Sequence, residues 1–579
     1  MAASVQAHAS ARDFTGGRLV VESLRALGVR FMFGVPGGQT LAITDAVRDT
    51  NDIRFVTTRH EGAAACMADA IGRLTGGPGV CIATTGPGAT NLLTGIGGAF
   101  RDSSPVIAIT CNNRLADLDR DDAQAADHIA IFRPLVKWAK LIVDVRTIPQ
   151  VLEEAFIRAT SGCPGPVLLD FARDVLEGAA DSKLFDVARR SARVTGAVRE
   201  RVSGDSSRIA EAARLLKGAS KPTMWLGNGA KLSGCGAEAL KLASKLDMPI
   251  VTTFNGIGVA PTTNPLVYGA LSRMGTELSS RVLADTDVLL AVGNSLNAIS
   301  TSRWSLKLPE TIVQVDIEPT TLGRYYAAQT LGIVGDALAT LATLNERLKA
   351  QPQDVHATKA RHDRLSRLSA LRQEWWRTAK VHAPAKAGVI SPDVLMQVVR
   401  KAAPDDTIAV FDAGNPGVWS YLWEVTETGG YMKPVGFGNM GFGVPAAIAA
   451  KLQRPEKPVI AFVGDGSLGM TLGELETVAR EDLPLCIVVM NDRSYGNIRQ
   501  EQIVHFGGRT IGVDFTDVDY AAIARASGLA GVRVREAAEL SEAVREALKS
   551  GKPTLVEAMI DRDVNAWTYP SFRRYEPGD

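Results

Sequence analysis

The stretch that most constrains what this chain can fold into runs from Val459 to Asn497, VIAFVGDGSLGMTLGELETVAREDLPLCIVVMNDRSYGN. Val459 to Val463 is an apolar run ended by glycine, the pattern of a strand buried on both faces. Gly464-Asp465-Gly466-Ser467 reads as a turn. Thr471 to Glu481 carries Leu472, Leu475 and Val478 with acids between them, which fits a helix with one buried face. Pro484 stops that helix, and Leu485 to Met490 is a second buried strand ending at Asn491-Asp492. Two buried strands joined through a helix belong to a parallel sheet, so the stretch predicts an α/β protein.

Gly464, Gly466 and Gly469 spell G-x-G-x-x-G between strand and helix, and an acid, Asp492, follows the next strand. That is the pattern of a dinucleotide site. Asp465 argues against it, because a bare carboxylate in the glycine turn repels a pyrophosphate. A divalent cation between them reverses the sign. Asp465 and Asp492 both fall at carboxyl ends of parallel strands, where they can meet at one ion, and Mg²⁺ is held by a carboxylate or two plus phosphate oxygens. The stretch reads as a Mg²⁺–diphosphate clamp. An NAD-dependent dehydrogenase is the remote alternative.

GDGS, followed by an Asn-Asp pair whose aspartate lies 27 positions beyond Asp465, resembles the signature of thiamine diphosphate (ThDP) enzymes. Three companions strengthen the resemblance. His60-Glu61-Gly62-Ala63-Ala64-Ala65 resembles the family's RHE-x-x-A-A segment, Gly436 to Ala447 its G-x-G-x-M-G-x-x-x-P-A-A segment, and Asn491 to Gly496 its ND-x-x-Y-G segment. On these motifs the chain resembles the acetolactate synthase-like group, with 2-oxoacid decarboxylases, carboligases and 2-hydroxyacyl-CoA lyases as relatives. The resemblance implies three doubly wound parallel-sheet domains: pyrimidine-binding over 13–185, central over 205–350 and diphosphate-binding over 387–579.

It also implies roles for named residues. The side chains of Asp465 and Asp492 and the Ser494 carbonyl would bind Mg²⁺. Gly464, Gly466, Ser467, Tyr495, Gly496, Asn497 and Ile498 would line the cofactor, as would Gly414, Asn415 and Gly438. Met440 matches the apolar wedge that bends ThDP into its V shape, and Glu61 the acid that hydrogen-bonds N1′ of the aminopyrimidine. Without the resemblance, Glu61 reads as an acid at a helix N-terminus and Met440 as core filler. Gln124 is counted with Glu61 as catalytic and faces substrate in the relatives; Gln39, His128, His505 and Arg509 are further candidates for substrate contact.

The implied activity is a ThDP- and Mg²⁺-dependent C–C bond lyase or carboligase. It would act on a 2-oxoacid or 2-hydroxyacyl donor through an enamine intermediate. Acetolactate synthases carry Phe and Glu where Ala123 and Ala125 flank Gln124, and tend to have Trp at the place of Gln500. These departures keep a 2-hydroxyacyl-CoA lyase or oxalyl-CoA decarboxylase-like enzyme open, and the tail Phe572-Arg573-Arg574-Tyr575 offers contacts for a CoA or phosphorylated substrate. The middle domain holds FAD or ADP in some relatives. Gly293-Asn294-Ser295-Leu296-Asn297 replaces the Asp-Asp-Arg group of acetolactate synthases, and Gly227-Asn228-Gly229-Ala230 reads as a strand-to-helix turn, so neither nucleotide is expected there. Because Glu61 and Asp465 belong to different domains yet act on one cofactor, the resemblance implies a homodimer or homotetramer with the active site at the dimer interface.

Composition narrows the class further. The 579 residues suggest about three or four domains at roughly 150 residues each. Lys+Arg 64 against Asp+Glu 63 leaves a net charge of +1, which points to neither nucleic acid nor an anionic membrane as partner. The six cysteines are scattered without a C-x-x-C pair and read as buried thiols in a reducing compartment. The N-terminal MAASVQAHAS lacks a basic-then-apolar pattern and no apolar run approaches the ~18 residues of a membrane span, so a soluble cytoplasmic enzyme is expected. Residues 183–206 read as a polar linker, Gln351 to Lys386 as a charged connecting helix and linker, and Asp393 as the N-cap of Val394 to Ala402.

Overall fold

A computed structural model of the chain describes residues 14–197, 201–272, 275–349, 354–379, 386–569 and 572. The chain forms two compact units. One comprises Met1–Glu200 with Gly436–Gln453 and Thr471–Glu481; the other comprises Arg201–Val435, Arg454–Met470 and Asp482–Asp579.

The first unit is built on a parallel sheet of β1 (Phe31–Gly34), β2 (Arg54–Thr57), β3 (Gly79–Ala83), β4 (Val106–Asn112), β5 (Trp138–Ile142) and β6 (Pro166–Ala172). Its order is β2-β1-β3-β4-β6-β5. Strands β3, β4 and β6 are buried along their whole length, as near-continuous apolar runs require when helices cover both faces. Thr15 caps the Gly16–Ala26 helix by accepting from the Arg18 N–H at 3.2 Å, and that helix buries Leu19, Val20 and Leu24.

The expected linker over 183–206 is corrected. Ser182–Ala197 is a helix, and Phe185 and Ala188 are buried in the first unit's core. Phe185 meets Phe14 edge-on at 5.3 Å. The basic residues around this apolar pair masked its spacing, since a helix needs only a narrow stripe to dock.

The second unit contains two parallel sheets. The first has β7 (Pro222–Leu226), β8 (Ile250–Thr252), β9 (Val267–Ala270), β10 (Val288–Val292), β11 (Thr311–Asp316) and β12 (Thr330–Val334) in the order β12-β11-β10-β7-β8-β9. The other has β13 (Ile408–Phe411), β14 (Tyr431–Met432), β15 (Val459–Gly464), β16 (Cys486–Asn491), β17 (Ala530–Val534) and β18 (Thr554–Met559) in the order β14-β13-β15-β16-β18-β17. With the sheet of the first unit these bear out the expected α/β architecture of three doubly wound parallel sheets.

The expected charged connecting helix is present as Val355–Ala379, and it is anchored: Arg364 is buried and donates to the carbonyls of Pro222 at 2.6 Å and Val282 at 3.0 Å. Two local expectations in this region change. The N-cap of Pro392–Ala402 is Ser391, because Pro392 takes the first helical position; Asp393 sits in the first turn and accepts from the Tyr569 hydroxyl at 2.8 Å. Phe572 of the tail is buried against Trp419 and Tyr569, while Arg573, Arg574 and Tyr575, like MAASVQAHAS, lie outside the described residues. All six cysteines are unpaired, five of them buried, as expected. Among the described residues no helix is long and apolar enough to cross a membrane.

Phe185→Ala should cost about 3–5 kcal/mol in the unfolding of the first unit, the usual cost of emptying a buried aromatic site. Thermal unfolding followed by circular dichroism should show a lower midpoint; an unchanged midpoint would mean the Ser182–Ala197 helix contributes no core.

Candidate functional site

In the sheet of the first unit the strand order reverses between β1 and β3, and in the last sheet between β13 and β15. At such a switch the segments leaving the two strands go to opposite faces and open a crevice at the carboxyl edge. Gln39 and the Thr84–Asn91 loop follow β1 and β3; Gly414-Asn415 and Gly464-Asp465 follow β13 and β15. Most of the residues singled out from the sequence lie at these two edges.

In the second unit, β15 pairs in parallel with β16, with Gly464 opposite Met490. The registration brings Asp465 and Asp492 together, both almost fully buried. The Ser494 N–H is shared between them, 3.2 Å from Asp465 Oδ2 and 3.1 Å from Asp492 Oδ1, and the Ser494 hydroxyl donates to Asp492 Oδ1 at 2.9 Å. Asn415 Nδ2 donates to Asp492 Oδ2 at 3.2 Å. GDGS, expected from the sequence as a turn, is instead the start of a helix, Asp465–Met470, with the Gly464 N–H donating to the Ser467 hydroxyl at 3.1 Å. The next helix is shorter than expected, Glu474–Arg480, and Leu472 is only half-buried.

Two glycines are required here by geometry. Gly414 has φ 78° and ψ −146°, a conformation essentially restricted to glycine. At Gly496 a Cβ would lie 2.0 Å from Asp492 Oδ2 and 2.4 Å from Asn415 Nδ2. The Tyr495 ring packs beside Gly466 and meets Phe515 edge-on at 4.6 Å. Ile498 is half exposed on the Gly496–His505 helix. Asn415 Oδ1 and Asn497 Oδ1 are buried without a hydrogen-bond partner among the described residues.

Burial pushes both carboxyls of the pair up, and for Asp465 the charge of Asp492 adds to the effect. Two buried carboxylates sharing one N–H are short of positive charge, and a dication would supply it. The donor set is hard oxygen throughout, which suits Mg²⁺. Among the described residues no three His, Cys, Asp or Glu side chains gather, so an ion on this pair would complete its shell with main-chain and ligand oxygens. His505 and Arg509 are exposed at and beyond the end of the Gly496–His505 helix, and Arg509 Nε donates to the Phe506 carbonyl at 3.3 Å.

In the first unit, Glu61 is the first residue of the Glu61–Thr75 helix and is buried. Its Oε2 accepts from Asn91 Nδ2 at 2.9 Å, a partner sequence reading missed although Asn91 ends the TTGPGATN loop. A Cβ at Gly88 would lie 3.3 Å from Glu61 Oε1, so glycine keeps the carboxylate accessible from that side. The turn before Glu61 is held by Glu474, which the sequence did not single out. Its burial is legible in hindsight: Glu474 shares the helical stripe of Leu475, Thr477 and Val478.

Gln39 is fixed between Thr84, whose hydroxyl donates to Oε1 at 2.6 Å, and Asn113, which accepts from Nε2 at 3.2 Å. Asn113 in turn donates to the Ala123 carbonyl at 3.1 Å. Gln124 is exposed and has φ 61°, uncommon for a side chain-bearing residue, with its carbonyl accepting from Thr85 at 3.3 Å. His128 is fully engaged: Nδ1 faces Asp170 Oδ1 at 2.9 Å and Nε2 accepts from the Gly86 N–H at 3.0 Å. That arrangement orients the glycine loop. Gly438 and Met440 precede the Gly443–Gln453 helix; Gly438 is exposed and Met440 half-buried. The segment is docked in this unit by the Gly436 N–H on Asp102 Oδ1 at 2.7 Å.

Residues 14–131 match the thiamine pyrophosphate enzyme N-terminal TPP binding domain, residues 209–344 the central domain, and residues 412–558 the C-terminal TPP binding domain. The chain is 33% identical over 550 residues to a probable acetolactate synthase large subunit of Methanocaldococcus jannaschii, covering 94% of this chain and 92% of that one. It is 31% identical over 563 residues to the acetolactate synthase isozyme 3 large subunit of Escherichia coli K12, covering 94% and 95%, and 30% identical over 555 residues to isozyme 2 of the same organism, covering 95% and 96%.

Gly496→Ala should weaken Mg²⁺-dependent binding of inorganic pyrophosphate by about tenfold or more, since overpacking a tight site costs about 1–3 kcal/mol. Titration calorimetry measures it, and wild-type affinity in a folded variant would show that the close approach to Asp492 does not matter.

Proposed function

The chain is a thiamine diphosphate-dependent enzyme of the acetolactate synthase-like family, and from that premise we propose that it is a Mg²⁺-dependent C–C bond lyase or carboligase acting on a 2-oxoacid or 2-hydroxyacyl donor. The observation that carries the reading is the buried Asp465–Asp492 pair with its single shared N–H. When bound, ThDP supplies a carbon that adds to a carbonyl and an electron sink for the bond that breaks.

The chain's own residues do the rest. Asp465, Asp492 and the Ser494 carbonyl hold Mg²⁺ and so neutralise the diphosphate. Gly464, Gly466 and Ser467, with Tyr495 to Ile498 and Gly414-Asn415, line it. Glu61, oriented by Asn91, holds a proton against N1′, and Met440 with Gly438 supports the cofactor from the apolar side. Gln39 and Gln124 border the substrate, with His505 and Arg509 as outer contacts. His128 acts by orienting the Gly86 loop. In the chain, 13–185, 205–350 and 387–579 are the pyrimidine-binding, central and diphosphate-binding domains, and six unpaired thiols fit a reducing cytoplasm.

A 2-hydroxyacyl-CoA lyase or oxalyl-CoA decarboxylase-like activity is the second reading, favoured by the exposed loop in which alanines flank Gln124. A panel of 2-oxoacids and 2-hydroxyacyl-CoAs, assayed for CO₂ or aldehyde release with ThDP and Mg²⁺, separates the two. Release from neither class would overturn both.

Glu61→Gln should retain ThDP binding yet slow exchange of its C2 proton by about 10²–10⁴-fold, the usual worth of a placed proton carrier. Acid-quench proton NMR reads the rate, and wild-type exchange would reduce Glu61 to a structural acid.

We further propose a homodimer or dimer of dimers in which Glu61 of one chain serves a cofactor held by Asp465 of the partner subunit. Asp465→Ala should lose Mg²⁺-dependent ThDP binding. Inactive Glu61→Gln and Asp465→Ala chains, unfolded and reassembled together, should regain about one intact site per mixed dimer. Mixed dimers without activity would rule out the shared site.

A further inference from the structure

Glu474 is a carboxylate with 1% exposure in the first unit. Its Oε1 accepts two main-chain donors, the N–H of Arg59 at 2.9 Å and of His60 at 3.1 Å. Its Oε2 accepts from the Thr477 hydroxyl at 2.7 Å, which fixes the rotation of the carboxylate. The two N–H groups belong to the turn that immediately precedes Glu61. They have no other use: β2 ends at Thr57 and the helix starts at Glu61, so both are orphan donors between elements.

Other contacts reinforce the placement. Arg480, on the same short helix as Glu474, donates to the Thr57 carbonyl, and Arg54 pairs with Glu481. A Cβ on Gly473 would stand 3.1 Å from Arg59 Cβ, so the backbone of the two segments is in close apposition. On the far side of the turn, His60 Nδ1 accepts from the Gly62 N–H at 2.9 Å and completes the cap. The N–H groups of Arg59, His60 and Gly62 are thus all held, and Glu474 is the only charged side chain among these partners that is fully buried. Burial pushes its carboxyl up, with the Thr477 hydroxyl and the two N–H groups opposing the shift.

We infer that Glu474 is a positioning residue for Glu61: it fixes the Arg59–His60 turn through two main-chain hydrogen bonds and so sets where the Glu61 carboxylate presents its proton. The inference rests on the reading of Glu61 as the partner of the aminopyrimidine. Glu474 needs no contact with cofactor or substrate. Its work is done by acceptor oxygens, so a side chain of the same shape with one carbonyl oxygen replaces it.

Two measurements on the full-length protein test this. Amide hydrogen exchange of a peptide spanning Arg54 to Gly62, read by mass spectrometry without cofactor, reports the two hydrogen bonds. Acid-quench NMR of the ThDP C2 proton, with ThDP and Mg²⁺ bound, reports Glu61. In Glu474→Ala, exchange at Arg59 and His60 should rise about tenfold or more, as expected for losing hydrogen bonds to a charged acceptor, and the C2 rate should fall about tenfold. Glu474→Gln should stay within about threefold of wild type in both, because hydrogen bonds to a neutral amide oxygen are weaker but present. If the alanine variant does not fold, Glu474→Asp, one methylene too short to reach both donors, is read the same way. Unchanged amide protection in the alanine or aspartate variant would overturn the inference. A glutamine variant that keeps amide protection yet loses C2 exchange would also overturn it, since charge and not position would then matter. Should Glu61→Gln exchange at the wild-type rate, the reading of Glu61 fails separately, and the amide data still report on Glu474.

Discussion

Two acidic groups held together in a dry interior are the constraint on which this structure turns. Taking a carboxylate out of water costs several kcal/mol even after relaxation, and in return Asp465 and Asp492 share the Ser494 N–H while Asp492 alone also accepts from the Ser494 hydroxyl and Asn415 Nδ2. What forces them together is main-chain geometry. Parallel strands end on one edge, and the register of β15 on β16 leaves no freedom to separate the residues that follow. Phe462 and Val488, both inaccessible, lock that register from below. The absence of a side chain at Gly496 and the special backbone of Gly414 follow from the same demand, since both yield space to the pair and to Asn415.

The first and last sheets share one strand order, and the middle sheet has another. Each outer sheet therefore owns a crevice at its carboxyl edge, but the chemistry collected there differs. One edge gathers amides and a single carboxylate around Gln39, Asn113, Asn91 and Glu61; the other gathers the acid pair. In the middle sheet the glycines after β7 are spent on packing: a Cβ at Gly227 would lie 2.2 Å from the Gly293 carbonyl. That close approach explains the glycine turn without invoking a nucleotide.

The sequence made the architecture legible where burial was strong. Apolar runs such as Val459 to Val463 and Leu485 to Met490 announced central strands because a strand covered on both faces has no polar alternation to confuse it. The edge strands Val267–Ala270 and Thr330–Val334 escaped, being short or half-exposed. Asp465 and Asp492 were visible through their spacing. Asn91, Asn113 and Glu474 were not, because their partners lie tens to hundreds of residues away and local periodicity carries no information about them. Glu474 and Arg364 share a further lesson: an acid or base on a helix is assumed to face water, and here each is buried to bind peptide groups that no secondary structure satisfies.

The first unit is assembled from three separate stretches of chain, Met1–Glu200, Gly436–Gln453 and Thr471–Glu481. During synthesis its sheet emerges early, but the helix Gly443–Gln453, which packs on Glu61–Thr75, and the one that carries Glu474 leave the ribosome only after the whole middle sheet has been made. At about 5–20 residues per second, that is a wait of tens of seconds with small-residue helix faces uncovered. Neither unit can be obtained by a single cut of the gene, and a nascent chain stalled before residue 436 carries Glu61 on a turn that has yet to receive its carboxylate. The geometry of the turn that carries Glu61 is thus among the last things translation delivers.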